Sequence, residues 1–203
     1  MASEAPAEIH VDAAVLAAGR GTRMGQAKHL LELDGAPMLE RVLRALAGSR
    51  VGRICVVLRP GDERGRELVE RLGFPWALAA ETAQGRAASV RAAVENADRA
   101  AAGLLFALAD QPYLLARDFD ELISAFAADP AGIVRATYAG KPGSPVLFAR
   151  RFFAELAALA PREGGRVVVA RHPEAVRGVA LDPDRGRDLD RPEDVRPPRS
   201  SDS

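Results

Sequence analysis

The chain of 203 residues lacks several features that would place it in familiar classes of protein. It has one cysteine, Cys55, so no disulfide can form within the chain, which fits a reducing cytosol. Lys plus Arg and Asp plus Glu both number 28, and this zero net charge argues against nucleic-acid binding through a strong overall field. No apolar run approaches the roughly 20 residues that span a bilayer, and residues 1–8 do not resemble a secretory leader. We therefore expect a cytoplasmic protein that binds neither nucleic acid nor membrane.

Several catalytic signatures are also missing. The sequence has no Cys/His set with zinc-binding spacing and no GxSxG turn around a serine nucleophile. Its three histidines, His10, His29 and His172, have no partner acid or nucleophile that the sequence identifies. These absences leave metalloprotease and serine-hydrolase chemistry without support.

Short apolar runs alternate with helical patterns along the chain. Runs typical of buried strands are 11–16, 54–58, 104–108, 133–138, 145–148 and 176–181. Apolar residues at helical spacing predict helices near 38–46, 63–72, 90–97, 119–126 and 150–159. This alternation predicts an α/β fold, a doubly wound three-layer α/β/α sandwich around a Rossmann-like, mostly parallel sheet. We expect one domain over residues 9–195, between disordered segments at 1–8 and 196–203.

The most informative segment covers residues 15–34 and reads VLAAGRGTRMGQAKHLLELD. Its glycines have the spacing GxGxxxG, one residue longer than the dinucleotide fingerprint, and no GxxxxGK with a following Ser or Thr is present there. Glycines allow backbone amides to approach an anion closely, and two cations, Arg23 and Lys28, suit a triphosphate. A connector with solvated cations is the alternative.

Two acidic segments are candidates for holding a metal ion. Asp110, in LADQP, directly follows a predicted strand, where its carboxylate is a natural Mg²⁺ ligand, although it could instead start a turn or cap a helix. The segment DLDRPEDV at 188–195 offers Asp188 and Asp190, which can face one side of an extended chain. A proline followed by acids also suits the start of a helix. The sequence does not distinguish which of these two aspartates would contact an ion.

The segment from Val15 to Leu31 resembles, almost position by position, the signature LAAGxGxRMGxxKxLL of the MobA-like NTP transferases, which have a GT-A-like fold. It is most similar to their molybdenum cofactor cytidylyltransferase (MocA-like) branch. The resemblance implies a nucleoside triphosphate substrate. It implies contacts with the base and ribose from Leu16, Ala17, Ala18 and Gly19. It implies phosphate contacts from Gly21, Thr22, Arg23 and Lys28.

The same resemblance extends to three further segments. LADQP matches the metal-binding strand end of the family, and DLDRPEDV resembles DxDTPEDL, in which an acidic side chain reaches the metal and the phosphates. ETAQGRAASV, at 81–90, has Gly85 and Ser89 where the family has a glycine and a serine ahead of a helix. Amides and a hydroxyl at a helix start can bind a base edge, although Ser89 could instead be an ordinary N-cap.

The resemblance thus implies a Mg²⁺-dependent nucleotidyltransferase in which an acceptor phosphate attacks the α-phosphorus and pyrophosphate leaves, with Arg23, Lys28 and Asp110 as catalytic residues. The pair Ala17-Ala18 and the sequence DQP favour CTP over GTP. Molybdopterin is the acceptor that the resemblance implies, with a molybdoenzyme or its chaperone as a protein partner.

Three departures from the family pattern affect the acceptor side. GSPV stands at 143–146 in place of GHPV, PREGGR at 161–166 in place of GDxGAR, and Arg191 in place of a threonine. The alternatives are a guanylyltransferase, a sugar-phosphate or isoprenoid-precursor nucleotidyltransferase, and a non-catalytic nucleotide-binding domain of the same fold.

Overall fold

The computed structural model describes residues 9–19, 27–80 and 85–187. The strands in these ranges are β1 (Val11–Leu16), β2 (Glu32–Leu33), β3 (Ala36–Pro37), β4 (Ile54–Leu58), β5 (Trp76–Leu78), β6 (Gly103–Leu108), β7 (Ile133–Tyr138), β8 (Lys141–Ala149) and β9 (Val176–Leu181). The α-helices are α1 (Met38–Ala47), α2 (Glu63–Arg71), α3 (Arg86–Glu95), α4 (Ala116–Ala127), α5 (Phe153–Ala157) and α6 (Arg166–Arg171). Short 3₁₀ turns occupy Lys28–Leu30, Arg150–Phe152 and Pro173–Ala175.

Seven of these strands form one sheet in the order β5-β4-β1-β6-β8-β7-β9. Strand β1 pairs in parallel with both β4 and β6, while β8 runs antiparallel to its neighbours β6 and β7. Strand β9 returns to a parallel pairing with β7. The prediction of an α/β fold around a mostly parallel sheet is confirmed.

Helices cover both faces of the sheet. Side chains of successive strand residues point to opposite faces, so Leu147 and Phe148 of β8 contact different helical layers. Phe126 of α4 lies on the Gly103 and Leu147 side, and Phe148 packs edge-on against Phe152 with ring centroids 6.5 Å apart. Because both faces are covered, the central strands are continuous apolar runs rather than alternating ones.

Two helix starts are set by particular residues near the carboxyl ends of the parallel strands. Helix α2 begins after Asp62, whose side chain accepts a hydrogen bond from the Gly65 amide. Helix α3 begins after Gly85, which has φ of +125°, a conformation that residues with a Cβ rarely adopt. None of the described helices is long and apolar enough to cross a membrane.

Some predicted elements differ from the structure. Strand β8 begins at Lys141 rather than at 145, so the predicted turn AGKPGS is reduced to Ala139 and Gly140, both with positive φ. The added residues pair within a hairpin and have no apolar pattern that would reveal a strand. The predicted helix 150–159 is a 3₁₀ turn followed by the short helix α5. Strand β5 and helix α6 were not predicted.

Candidate active site

The candidate site lies where the order of strands reverses, between β1 and β6. The chain moves from β1 to β4 and β5 on one side and then crosses to β6 on the other. The last residues of the two strands, Leu16 and Leu108, are paired in register. The loops that follow them therefore leave from the same point of the sheet edge, and such reversals are where α/β proteins bind ligands.

The first loop is described only at its two ends. Ala17 is buried and its amide donates a hydrogen bond to the Val57 carbonyl at 2.9 Å, Leu16 and Ala18 are half-buried, and Gly19 is exposed. The predicted phosphate contacts Gly21, Thr22 and Arg23 lie outside the described residues.

Lys28 and Asp110 come together at this edge. Lys28 opens the 3₁₀ turn that ends the first loop, and its Nζ lies 2.6 Å from Oδ2 of Asp110 in the loop after β6. The two side chains are 20% and 28% exposed, so both remain accessible to a ligand. A cation and a carboxylate from two different loops thus meet at one point.

Asp110 was predicted as a metal ligand, and the structure places its carboxylate against the ammonium group of Lys28. In residues 9–19, 27–80 and 85–187 there is no group of three or more His, Cys, Asp or Glu side chains that could hold a metal. Mg²⁺ commonly takes one or two carboxylates and completes its shell with water and substrate phosphates. The partly exposed carboxylate of Asp110 is a ligand of the kind that Mg²⁺ takes.

The chain that leads to Asp188 runs beside the loop after β6. Arg185 Nη1 lies 2.6 Å from Oδ1 of the buried Asp118, which also accepts a hydrogen bond from the Leu115 amide. One residue further, the Gly186 carbonyl accepts a hydrogen bond from the Gln111 side chain at 3.4 Å. The candidate ligands Asp188 and Asp190 lie outside the described residues, which end at Arg187. The segment that leads to them contacts Gln111, the residue after Asp110.

Gly85 directly precedes α3, and Ser89 lies within this helix. Strand β5 is parallel to β4, so the connection from β5 to α3 starts at the same sheet edge. A Cβ on Gly85 would lie 2.3 Å from the carbonyl oxygen of Pro161, so this glycine permits close packing of the loop at 161–164. Ser89 is buried within α3, and the alternative that it caps this helix is wrong because Gly85 holds the N-cap position.

A buried pair that the sequence did not reveal lies next to Lys28. His29 Nε2 is 2.9 Å from Oδ2 of Asp62, and their side chains are only 5% and 4% exposed. Burial lowers the pKa of the His29 imidazole, and the negative charges of Asp62 and Asp110 oppose this by smaller amounts. Sequence alone assigned no partner acid to His29, since the contact joins the first loop to the loop after β4. The one available signal is Asp62 itself, an aspartate directly before a predicted helix.

A second missed signal is the scarcity of lysine. Among the 28 basic residues only two are lysines, Lys28 and Lys141. A lysine presents a compact ammonium group that binds phosphate as a point charge, whereas arginine binds as a planar fork. The presence of lysine rather than arginine at position 28, in a chain rich in arginine, is therefore a sequence signal for a phosphate-binding candidate at that position.

An α/β sandwich with a glycine-containing loop, a lysine and an aspartate at its strand-reversal edge defines a nucleotide-binding fold of the nucleotidyltransferase type. The chain belongs to the MobA-like NTP transferase domain family, whose sequence profile matches residues 13–176.

Comparison with individual proteins agrees with this assignment. The chain is 28% identical over 193 residues to the purine catabolism protein PucB of Bacillus subtilis, covering 88% of this chain and 91% of PucB. It is 48% identical over 69 residues to 2-C-methyl-D-erythritol 4-phosphate cytidylyltransferase of Pelotomaculum thermopropionicum, covering 32% of this chain and only 29% of that enzyme.

Among solved structures, Rv0371c of Mycobacterium tuberculosis superposes with a TM-score of 0.77 at 29% identity, covering 92% of this chain and 95% of that one. A second structure of Rv0371c is a complex with manganese, with a TM-score of 0.76 at 25% identity, covering 91% and 95% of the two chains.

Proposed function

We propose that the protein is a Mg²⁺-dependent nucleotidyltransferase. It transfers a nucleoside monophosphate, with CMP favoured, from a nucleoside triphosphate to a small phosphorylated acceptor and releases pyrophosphate. The observation that carries this proposal is the 2.6 Å contact between Lys28 and Asp110 at the strand-reversal edge of the sheet. A triphosphate brings about four negative charges, so its site needs both fixed cations and a carboxylate that can anchor a metal ion.

The roles of the residues are assigned from the family resemblance and, for Lys28 and Asp110, from their contact at the sheet edge as well. Asp110 anchors the ion, with Asp188 or Asp190 as its second carboxylate. Bound Mg²⁺ supplies charge neutralisation and alignment of the phosphates. Lys28 binds the α-phosphate, where its ammonium group stabilises charge that increases during transfer, while Arg23 and the amides of Gly21 and Thr22 hold the β- and γ-phosphates.

Base and ribose contacts are assigned to the backbone at the end of β1 and to the start of α3. The residues concerned are Leu16, Ala17, Ala18, Gly19, Gly85 and Ser89. The acceptor phosphate is already anionic at neutral pH, so the reaction needs no strong general base, and catalysis rests on alignment and electrostatics.

The choice of CTP is supported by the Ala17-Ala18 pair and by the relative named as a cytidylyltransferase. The divalent ion is supported by the manganese complex of Rv0371c. Molybdopterin is the acceptor indicated by the branch that the glycine loop resembles. The departures at 143–146 and 161–166 and the methylerythritol phosphate enzyme among the relatives make an isoprenoid precursor the second candidate.

Pyrophosphate release tests the proposal. The purified protein is assayed with each of the four nucleoside triphosphates, Mg²⁺, and an acceptor panel of molybdopterin, methylerythritol phosphate and sugar 1-phosphates. We expect turnover with CTP and one of the acceptors. Nucleotide binding without turnover on any acceptor would instead support a non-catalytic nucleotide-binding domain.

Substitutions of Asp110 and Lys28, whose side chains contact each other, then test the roles of these residues. Asp110→Ala should lower turnover by at least about a thousandfold, because the ion loses its anchor, while Asp129→Ala, an exposed aspartate after α4, should leave turnover unchanged. Retained turnover in Asp110→Ala would overturn the metal assignment.

Lys28→Ala should lower kcat about a hundredfold. A change confined to the KM of the acceptor would contradict the assignment of Lys28 to the α-phosphate.

A further inference from the structure

The pair of His29 and Asp62 is almost completely buried, yet it adjoins the partly exposed pair of Lys28 and Asp110. Lys28 and His29 are consecutive residues of one 3₁₀ turn, and their side chains contact different partners. The Lys28 side chain reaches the loop after β6, whereas the His29 side chain reaches the start of α2. The single turn that ends the glycine loop is thus tied to two other parts of the fold.

Asp62 is itself held rigidly. Its Oδ1 accepts a hydrogen bond from the Gly65 amide at 3.1 Å, which caps helix α2, and its Oδ2 faces His29. A Cβ on Gly65 would lie 2.6 Å from Oδ2 of Asp62, so the helix start closes tightly around the carboxylate. The contact with His29 therefore ties the 3₁₀ turn to a fixed point of the scaffold rather than to a mobile side chain.

We propose that His29 and Asp62 are positioning residues that hold the turn at Lys28–Leu30 so that Nζ of Lys28 stays opposite Asp110. This inference rests on the proposed role of Lys28 at the triphosphate. A catalytic cation must be held within a fraction of an ångström of its working position, and buried contacts behind it provide that precision. Loss of the buried contact releases the turn and lets the ammonium group leave the carboxylate.

The first experiment measures the position of Lys28 without using activity. Because Lys28 and Lys141 are the chain's two lysines, acetylation by N-hydroxysuccinimidyl acetate can be followed at each by peptide mass spectrometry, with Lys141 as the internal reference. In His29→Leu the ratio of the Lys28 rate to the Lys141 rate should rise about threefold, the scale on which a partly exposed ion pair protects an amine. An unchanged ratio would overturn the proposal.

The matched control is His10→Leu. His10 Nε2 lies 2.9 Å from Oδ1 of the buried Asp12, so this change removes another histidine–aspartate contact, at the opposite end of β1 and from a side chain that is 40% exposed. It should leave the acetylation ratio at the wild-type value. An equal rise in His10→Leu would mean that general loosening, not positioning, exposes Lys28.

The second experiment is a double-mutant cycle on turnover. His29→Leu should lower kcat about tenfold while changing the dissociation constant of the nucleotide much less, and His29→Gln should recover part of the loss. In the Lys28→Ala background the same change should cause no further loss, since the effect passes through Lys28. An equal loss in both backgrounds would show a merely structural role.

Asp62→Asn provides a variant that keeps the fold if His29→Leu does not fold. Asparagine caps helices as well as aspartate does but lacks the charge that faces His29. It should raise the acetylation ratio in the same direction as His29→Leu, and an unchanged ratio in this folded variant would contradict the proposal. If the wild-type protein shows no turnover, the proposed function fails, while the acetylation ratio still decides whether the pair positions Lys28.

Discussion

At the scale of single residues, Cys55 shows how burial controls chemistry. It lies in β4 directly beside Ala14 of β1 and is buried within the sheet. Burial raises the pKa of the Cys55 thiol, so the reactive thiolate is scarce as well as inaccessible. We predict that a disulfide reagent such as 5,5′-dithiobis(2-nitrobenzoate) leaves the native protein unmodified at pH 8 but titrates one thiol in guanidinium chloride.

The rate of labelling provides the check. In native buffer, modification of Cys55 should be no faster than global unfolding, because the central strands open only when the whole sheet does. Stoichiometric labelling within seconds, under conditions where circular dichroism shows the native fold, would contradict the burial of this strand.

The residues at the edge of the sheet show what sequence can and cannot reveal at this scale. Lys28 and Asp110 were predicted from their chemical type, their place in the chain and the family resemblance, and the structure brings them into contact. His29 was set aside for want of a partner acid, although Asp62 lies 2.9 Å from it. Contacts between loops depend on the order of strands in the sheet, and the spacing of residues along the sequence does not reveal that order.

At the scale of elements, the start of α3 depends on the absence of a side chain at Gly85. Gly85→Ala should destabilise the protein by about 2 kcal/mol or more, since the residue has φ of +125° and its Cβ would lie 2.3 Å from the Pro161 carbonyl oxygen. Chemical denaturation measures the change in the free energy of unfolding.

Gly73→Ala is the matched control. Gly73 also has positive φ, +78°, but a Cβ there meets nothing within 4 Å among the residues that the structure describes, so only the backbone strain of about 1 kcal/mol applies. Equal destabilisation by the two changes would contradict the close packing of the 161–164 loop against the start of α3.

Several strands were predicted with the observed bounds, namely β1, β4, β7 and β9. Strands β1 and β4 are buried, largely apolar runs, whereas β9, at the edge of the sheet, is mostly exposed or half-buried. Strand β5 was missed since its three residues, Trp76–Leu78, are too few to show a pattern. In α6 the run Val167–Val169 is β-branched, which masks a helix that forms through packing.

At the scale of the whole molecule, the site is a consequence of topology. The sheet order places β1 between β4 and β6, so three loops that are far apart in sequence leave from one edge. The alternation of strands and helices predicted this class of fold, and the candidate site lies at the reversal of strand order, where such folds bind ligands. The sequence could not predict that β8 lies between β6 and β7 and runs antiparallel to both. An apolar run can be followed either by a hairpin or by a crossover connection, and the run itself does not distinguish them.

The most direct test of the account is nucleotide binding measured by isothermal titration calorimetry with wild-type protein and Asp110→Asn, each with and without Mg²⁺. We predict that CTP binds wild-type protein most tightly of the four triphosphates in Mg²⁺, and that EDTA or Asp110→Asn weakens this binding by about tenfold or more. An affinity for CTP that is equal in all four conditions, or an absence of binding by every triphosphate, would contradict the claim that this sheet edge holds a triphosphate and its metal ion.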